Sequence, residues 1–423
     1  MEEQLLHFIW QRKLFDHATL VTTTGESIQI QLPGSANDHQ GPDFLQARIL
    51  IGDQLWAGHV EIHVRSSAWY LHRHETDAHY NNVILHVVWT EDQPVYTLDG
   101  YRIPCLEIAD RVDAALLERF RNLMRNETWV PCAPALAEVS TLVRTSWLER
   151  IMAERLEYKA ETITSIRDHY KGDWEQTFYV ILARQLAAPV NSDAMEKLCR
   201  AVPLSLVRRH YNRVDQIEAL LFGASGMLGN NMNEPYTKQL KSEFAFLKKK
   251  YSITPMDALH WKFLRMRPAH FPTIRIAQLA KIISTLEHFV AQLESNQMGS
   301  DWVNKFSVIP DHSFWDSHYH FTASSPTTPK QLGTGTAITL VINVVAPIMF
   351  VYGKHQGLPA LKEKAISILD EMPAEKNAII SGWKKLGWKA DSAGQTQAML
   401  QLKKKYCDRR RCLHCAIGLQ VIR

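Results

Sequence analysis

The chain has 423 residues, of which 46% are hydrophobic and 22% are charged. These proportions are typical of a folded globular protein with two or three domains. A formal net charge of only +4 excludes a polybasic binder as a description of the whole chain, and six cysteines in this length do not suggest a secreted disulfide scaffold. The N-terminus is acidic and its first apolar run is short, so we expect no cleavable signal and a cytoplasmic location.

Residues 1–110 predict a small α/β domain. They open with EEQLLHFIWQRKLF, in which apolar residues recur at helical spacing. Four strand-like runs follow, namely SIQIQL, DFLQARILI, QLWAGHVEIHV and NVILHVVWT, and then a β-rich tail, PVYTLDGYRIPCLEI. The segment SSAWYLHRHETDAHYN, between the third and fourth runs, fits either a helix or an irregular loop. The predicted order is therefore helix, three strands, possible helix and strand.

Residues 111–423 predict a mostly α-helical region. Long amphipathic runs such as TLVRTSWLERIMAERLEYKAETITSI and TIRIAQLAKIISTLEHFVAQLE dominate it. The longest apolar run, residues 336–352, contains Asn343 and Pro347 and is slightly short for a bilayer. We therefore expect a buried helix there and no membrane partner.

The predicted hairpin around Gly52 and Asp53 carries an unusual set of polar side chains. Strand alternation places His59, Glu61 and His63 on one face, and a two-residue turn would add Gln46 to that face. Six of the 19 histidines fall within residues 59–86. This density favours a functional site, and its additional candidates are His72, His74 and Asp77.

The pattern Pro42-Asp43 followed by Glu61-Ile62-His63 resembles the PD-(D/E)XK nuclease superfamily, and the predicted element order agrees with it. The resemblance implies a restriction-endonuclease-like core, a mixed sheet flanked by helices, with Asp43 and Glu61 as ligands of Mg²⁺ or Mn²⁺. It also implies that an acid on the first helix assists, for which Glu3 is the best match. Gln46 would be a secondary polar contact.

Two features depart from that superfamily pattern. His63 stands where the superfamily usually has Lys, and a neutral imidazole there would orient or deprotonate the attacking water. A two-residue turn also places Asp43 on the apolar face, so a bulge or a bend at Pro42 would be needed to bring it to Glu61.

Three functions follow from these residues. The leading hypothesis is a metal-dependent phosphodiesterase that acts on nucleic acid. The second is a non-catalytic nucleic-acid-binding or scaffold protein with a degenerate nuclease core, which the Lys-to-His change favours. The third is a different metallohydrolase that uses the histidines as ligands.

The whole chain also resembles a family of bacterial proteins catalogued as a domain of unknown function. The segments that carry this resemblance are GPDFLQARI, WAGHVEIHVRSSAWYLHRH, NVILHVVW and YCDRRRCLHCAIG. It covers nearly all of the sequence, implies a two-part architecture and a cytoplasmic location, and brings no established activity.

The C-terminal segment predicts a second metal centre. Cys407, Cys412 and Cys415 form C-x4-C-x2-C, and close thiolates in a cytoplasmic chain usually bind zinc or an iron–sulfur cluster. The fourth ligand would be Cys132 or His414. Residues 403–423 also hold seven Lys and Arg against one acid, a cluster that suits the phosphates of nucleic acid.

Overall fold

A computed structural model of the chain describes residues 1–37, 39–229, 232, 234–295 and 297–423. The strands are β1 (Ile28–Leu32), β2 (Ser35–Ala36), β3 (Phe44–Ile51), β4 (Gln54–Arg65), β5 (Val83–Thr90), β6 (Cys105–Glu107), β7 (His318–His320) and β8 (Ala323–Ser324). The α-helices are α1 (Glu3–Gln11), α2 (Ala68–Leu71), α3 (Ala114–Arg125), α4 (Thr141–His169), α5 (Trp174–Leu186), α6 (Ser192–Ala201), α7 (Leu204–Val207), α8 (Val214–Ala224), α9 (Pro235–Tyr251), α10 (Pro272–Thr285), α11 (Phe289–Glu294), α12 (Gly299–Phe306), α13 (Thr334–Leu340), α14 (Ala346–Gln356), α15 (Pro359–Glu371), α16 (Ala378–Lys385), α17 (Ala393–Gln401) and α18 (Ala416–Ile422).

The chain divides into two compact units. The first comprises Met1–Trp147 together with Lys404–Arg423, and the second comprises Leu148–Lys403. The expected mixed sheet at the N-terminus, with flanking helices and a mostly helical remainder, is confirmed. The predicted division at residue 110 marks the end of the strand-rich segment, whereas the first compact unit continues to Trp147 and includes the C-terminal segment.

The first unit contains a mixed sheet with the strand order β1-β3-β4-β5-β6, and β2 pairs with β3. Strands β1, β3 and β4 are antiparallel neighbours, whereas β4, β5 and β6 run parallel. The interior strand β5 reads VILHVVWT and is buried along most of its length, as expected for a parallel strand covered on both faces. Helix α1 packs against β4 through its apolar stripe, which includes Leu6 and Trp10.

A β-bulge interrupts the pairing of β3 with β4. The register shifts between Phe44 and Ala47, and Gln46 has a φ of 59°. The extra residue changes which side chains of β3 oppose β4, since a bulge places two residues opposite one. The sequence required such a bulge or bend for Asp43 to reach Glu61, and this is where the chain supplies it.

The connection from β4 to β5 consists of short turns rather than one long helix. Helix α2 has four residues, and two 3₁₀ turns follow at His74–Thr76 and Ala78–Tyr80. Arg73 adopts a left-handed conformation with φ 63° between the first two elements. This irregular path returns the histidine-rich segment towards β4.

The second unit is built from packed helices. Helix α8 packs against α9 and α10, α5 packs against α6, and α14 packs against α15. The predicted apolar helix is present as Thr334–Gln356, which is long and apolar enough to cross a membrane by length and composition, but 67% of its apolar window is buried inside the protein. It contains a π-helical turn, Val341–Val345, immediately before Pro347, whose missing N–H interrupts the regular hydrogen bonding. Burial on this scale fits the core helix of a soluble protein, and the cytoplasmic location stays a prediction.

Candidate metal centre

Asp43, the residue immediately before β3, lies beside Glu61 of β4, and the two are linked by reciprocal hydrogen bonds. The backbone N–H of Asp43 donates to Glu61 Oε2 at 3.1 Å, and the backbone N–H of Ile62 donates to Asp43 Oδ2 at 3.0 Å. Glu61 is 4% exposed. Each carboxylate is therefore fixed by the backbone of the neighbouring strand, and the bulge brings together the two acids that the sequence singled out.

Two histidines lie close to the other oxygen of Glu61, and a third contacts one of them. His74 Nε2 lies 3.2 Å and His63 Nε2 lies 3.6 Å from Glu61 Oε1, and His63 Nε2 is also 3.1 Å from His72 Nδ1. Within the described ranges, these three histidines are the one group of at least three His, Cys, Asp or Glu side chains whose ligand atoms all lie within 4.8 Å of one another. His63 and His74 are buried, whereas His72 is exposed, so the cluster reaches the surface at His72.

A layer of aromatic rings holds the histidines. His86, from the centre of β5, is fully buried and its Nε2 lies 2.9 Å from His63 Nδ1. His74 stacks on Tyr80 with ring centroids 3.8 Å apart. Trp69 packs edge-on against His74 and lies near His86. These contacts fix the ring orientations, as the residues that pack behind the ligands of metal sites do.

Burial and neighbouring charge set the protonation of the cluster. Burial raises the pKa of Glu61, and the charge of Asp43 adds to this effect, while His74 opposes it. Burial also lowers the pKa of His63 to about 2 and that of His86 to about 3, with neighbouring histidines contributing. Both imidazoles are therefore neutral at neutral pH, the form in which histidine binds a metal.

Helix α1 contributes a histidine that the sequence analysis did not select. His7 Nε2 lies 3.3 Å from Asp43 Oδ2. Burial by itself lowers the pKa of His7, but Asp43, with Glu3 and Glu61, outweighs burial and raises it. Glu3, the predicted acid of the first helix, is exposed and acts on the site through the charge it presents to His7. The spacing of Glu3 and His7, one helical turn apart, was the available signal.

The remaining candidates of the first unit lie beside this cluster. The backbone N–H of Gln46 donates to His59 Nδ1 at 3.4 Å, so these two residues meet each other at the bulge. Asp77 accepts hydrogen bonds from the backbone and the ring of His79 at the surface, where it caps the second 3₁₀ turn. The contacts of Gln46, His59 and Asp77 are of the kind that stabilises local structure.

The cysteines form a separate buried group in the first unit. Cys132, Cys412 and Cys415 are buried as free thiols, and Cys407 is half-buried. Burial raises the pKa of Cys132 to about 12, and the neighbouring Cys415 and Cys412 contribute to that shift. Over the part of the chain that is described, no three of these sulfurs all lie within 4.8 Å of one another. The zinc or iron–sulfur centre, and its fourth ligand, stay predictions.

Comparison with known proteins gives one match. The model of a protein family, described as "Protein of unknown function (DUF2851)", matches residues 3–378. No curated protein and no solved structure matches the chain.

Proposed function

The chain belongs to this family, and we propose that it is a metal-dependent phosphodiesterase that acts on nucleic acid. The observation that carries the proposal is the interlocked pair of Asp43 and Glu61 on neighbouring strands. A buried carboxylate and a half-buried carboxylate held together repel each other, and a divalent cation relieves that repulsion.

The strand arrangement supports the same proposal. Three antiparallel strands, β1, β3 and β4, are followed by the parallel strand β5, with α1 packed against β4. This is the helix, three-strand and returning-strand order on which the resemblance to the PD-(D/E)XK superfamily rests. Asp43, immediately before β3, and Glu61, in β4, match the positions at which that superfamily places its metal ligands.

The donor set fits the cation that the resemblance implies. Carboxylate oxygens suit Mg²⁺ or Mn²⁺, and the histidines beside them suit Mn²⁺ better than Mg²⁺. A bound ion of this kind polarises a phosphoryl oxygen and lowers the pKa of its bound water. Asp43 and Glu61 would hold the ion, and the hydrogen bonds from the backbone of the opposite strand would keep both carboxylates in position.

The contacts and the pKa of His63 indicate which role it takes in the site. Its two nitrogens are engaged, Nδ1 with His86 and Nε2 with His72. A histidine with a pKa of about 2 gains little by accepting a proton at neutral pH, so it is a poor general base. The sequence predicted that His63 orients or deprotonates the attacking water. We therefore assign it to holding the site and not to deprotonation.

The nucleic acid would lie on a basic surface. Residues 403–423 carry seven Lys and Arg. Arg410 donates to the carbonyl oxygens of Met124 and Asn126, so it also anchors its own segment. Arg409 and Arg411 are exposed and suited to phosphate contacts.

The test is a cleavage assay on single-stranded DNA, double-stranded DNA and RNA, with Mg²⁺, Mn²⁺ or Zn²⁺ added to chelator-treated protein. Asp43→Asn and Glu61→Gln should each lower the rate more than the roughly 10- to 100-fold loss that follows removal of a second-shell residue. Asp53→Asn, in the exposed turn of the same hairpin, is the matched control and should cleave at the wild-type rate.

Two results would reject the proposal. Cleavage that survives in both Asp43→Asn and Glu61→Gln would place the active site elsewhere. No cleavage of any of the substrates by wild-type protein with any of the three ions would favour the non-catalytic alternative, a nucleic-acid-binding or scaffold protein.

A further inference from the structure

Three histidines present ligand atoms that all lie within 4.8 Å of one another, and Glu61 Oε1 lies beside two of them. Ligand atoms at 2.0–2.1 Å from a tetrahedral ion are separated by about 3.3 Å. The observed separations are 3.1 Å for His63 Nε2 to His72 Nδ1, 3.2 Å for His74 Nε2 to Glu61 Oε1, and 3.6 Å for His63 Nε2 to Glu61 Oε1. Three edges of the cluster thus match the edges of such a tetrahedron.

We propose that His63, His72 and His74 bind one transition-metal ion of the Zn²⁺ class, and that Glu61 Oε1, which lies beside His63 and His74, becomes the fourth ligand when the ion binds. The inference deepens the proposed function, since it assigns a resident metal to the same site and shares Glu61 with it. The two assignments use different oxygens of Glu61: Oε1 faces His63 and His74, and Oε2 accepts the N–H of Asp43.

A buried nitrogen without a hydrogen bond supports the assignment independently. His74 is 9% exposed, and its Nε2 has no hydrogen-bond partner among the described residues, although it lies 3.2 Å from Glu61 Oε1. A buried polar atom that lacks a hydrogen bond is destabilising. A metal ion that accepts the lone pair of this nitrogen removes that destabilisation.

The contacts behind the cluster prepare His63 to be a ligand. Its Nδ1 is hydrogen-bonded to His86, and metal-binding histidines use their second nitrogen in this way. When His63 Nδ1 carries the proton and donates to His86, Nε2 presents its lone pair towards His72 and Glu61. Trp69 and Tyr80 hold the ring of His74 from two sides.

The donor set selects the class of metal. Imidazole nitrogens suit zinc and other first-row transition metals, whereas Mg²⁺ requires octahedral oxygen ligands and retains several waters. Four protein ligands from β4 and the following turns would also tie that connection to the sheet. We therefore expect the ion to stabilise the segment of residues 66–82 as well as the site.

The experiment measures metal binding without any nucleic acid. Protein stripped with a chelator is titrated with Zn²⁺ against a chromophoric competitor, and separately with Co²⁺, whose four-coordinate complexes absorb strongly in the visible range. We expect the protein to bind one equivalent of each ion through its histidines. His72→Ala should lower the Zn²⁺ affinity by more than about 100-fold, beyond the loss typical of second-shell changes.

The control is His79→Ala, which removes an exposed histidine of the same connection that pairs with Asp77. It should bind Zn²⁺ and Co²⁺ like the wild type. Because His72 is exposed, its removal is not expected to prevent folding, and Glu61→Gln serves as a second variant. Equal Zn²⁺ affinity in wild type, His72→Ala and Glu61→Gln, or no stoichiometric binding by wild type, would overturn the assignment.

Failure of this inference is distinguishable from failure of the proposed function. If the protein cleaves nucleic acid with Mg²⁺ or Mn²⁺ through Asp43 and Glu61 but does not bind one equivalent of Zn²⁺ through its histidines, only the transition-metal site is rejected. If the protein binds Zn²⁺, His72→Ala abolishes that binding, and no nucleic acid is cleaved, only the phosphodiesterase proposal is rejected.

Discussion

Glu218 in α8 provides the sharpest prediction for stability, because its carboxyl group is enclosed in the second unit. The residue is 1% exposed, Tyr236 donates a hydrogen bond to Oε2 at 3.0 Å, and Oε1 has no hydrogen-bond partner within the described part of the chain. Burial raises the pKa of Glu218 to about 8. At neutral pH the native protein therefore holds this proton, whereas the unfolded chain has released it.

The sign of the pH dependence follows from that difference. Between the ordinary pKa of 4.5 and about 8, the unfolded state binds fewer protons, so the contribution of Glu218 to stability falls as the pH rises. From pH 5 to pH 8 the loss amounts to about 3 to 4 kcal/mol, since each pKa unit corresponds to about 1.4 kcal/mol. Glu218→Gln cannot titrate and should escape this loss.

We expect the free energy of unfolding of Glu218→Gln to rise, relative to that of the wild type, by about 3 to 4 kcal/mol between pH 5 and pH 8. Hydrogen–deuterium exchange of the α8 peptide, measured as a function of urea concentration at both pH values, gives the unfolding free energy of this segment. Asp215→Asn is the control on the same helix. Arg213 holds the pKa of Asp215 below its usual range, so Asp215 does not titrate between pH 5 and pH 8.

A pH dependence in Glu218→Gln equal to that of the wild type would refute the reasoning. It would mean that the native protein holds Glu218 ionised, and that solvent or a charge reaches Oε1. The same outcome would remove the argument that α8 carries a protonated acid.

Two further predictions concern the first unit. Gly58→Ala should destabilise the protein by about 1–3 kcal/mol in thermal unfolding, because a methyl group there would overlap Ile84 Cγ2 and lie 2.5 Å from Asn82 O. The control is Gly335→Ala, since a methyl group at that position meets nothing within 4 Å. Equal stability of the two variants would contradict the argument. Cys412→Ser should lower the metal content of anaerobically purified protein relative to the wild type. In the wild type, a brown chromophore would indicate an iron–sulfur cluster, and colourless stoichiometric zinc would indicate a zinc site. Unchanged metal content in the variant would leave the cysteines as buried thiols.

The candidate site was partly readable from the sequence. Alternation in β4 placed Glu61 and His63 on one face, and both belong to the cluster. The density of histidines drew attention to His72 and His74, although their spacing matches no simple ligand motif. His7 was not selected, although it lies one helical turn from Glu3, because its contact with Asp43 depends on the docking of α1 against β4.

The sequence by itself determined the local structure: period-2 and period-3.6 patterns specify strands and helices through the faces they must bury, and the switch between them separated the sheet from the helical region. Only the tertiary structure decided the distances within the site. The bulge at Gln46 moved Asp43 beside Glu61, and the left-handed turn at Arg73 returned His74 to Glu61 Oε1. A bulge and an irregular turn depend on which long-range contacts the whole chain can satisfy together, so a few residues of local pattern do not encode the distances they create.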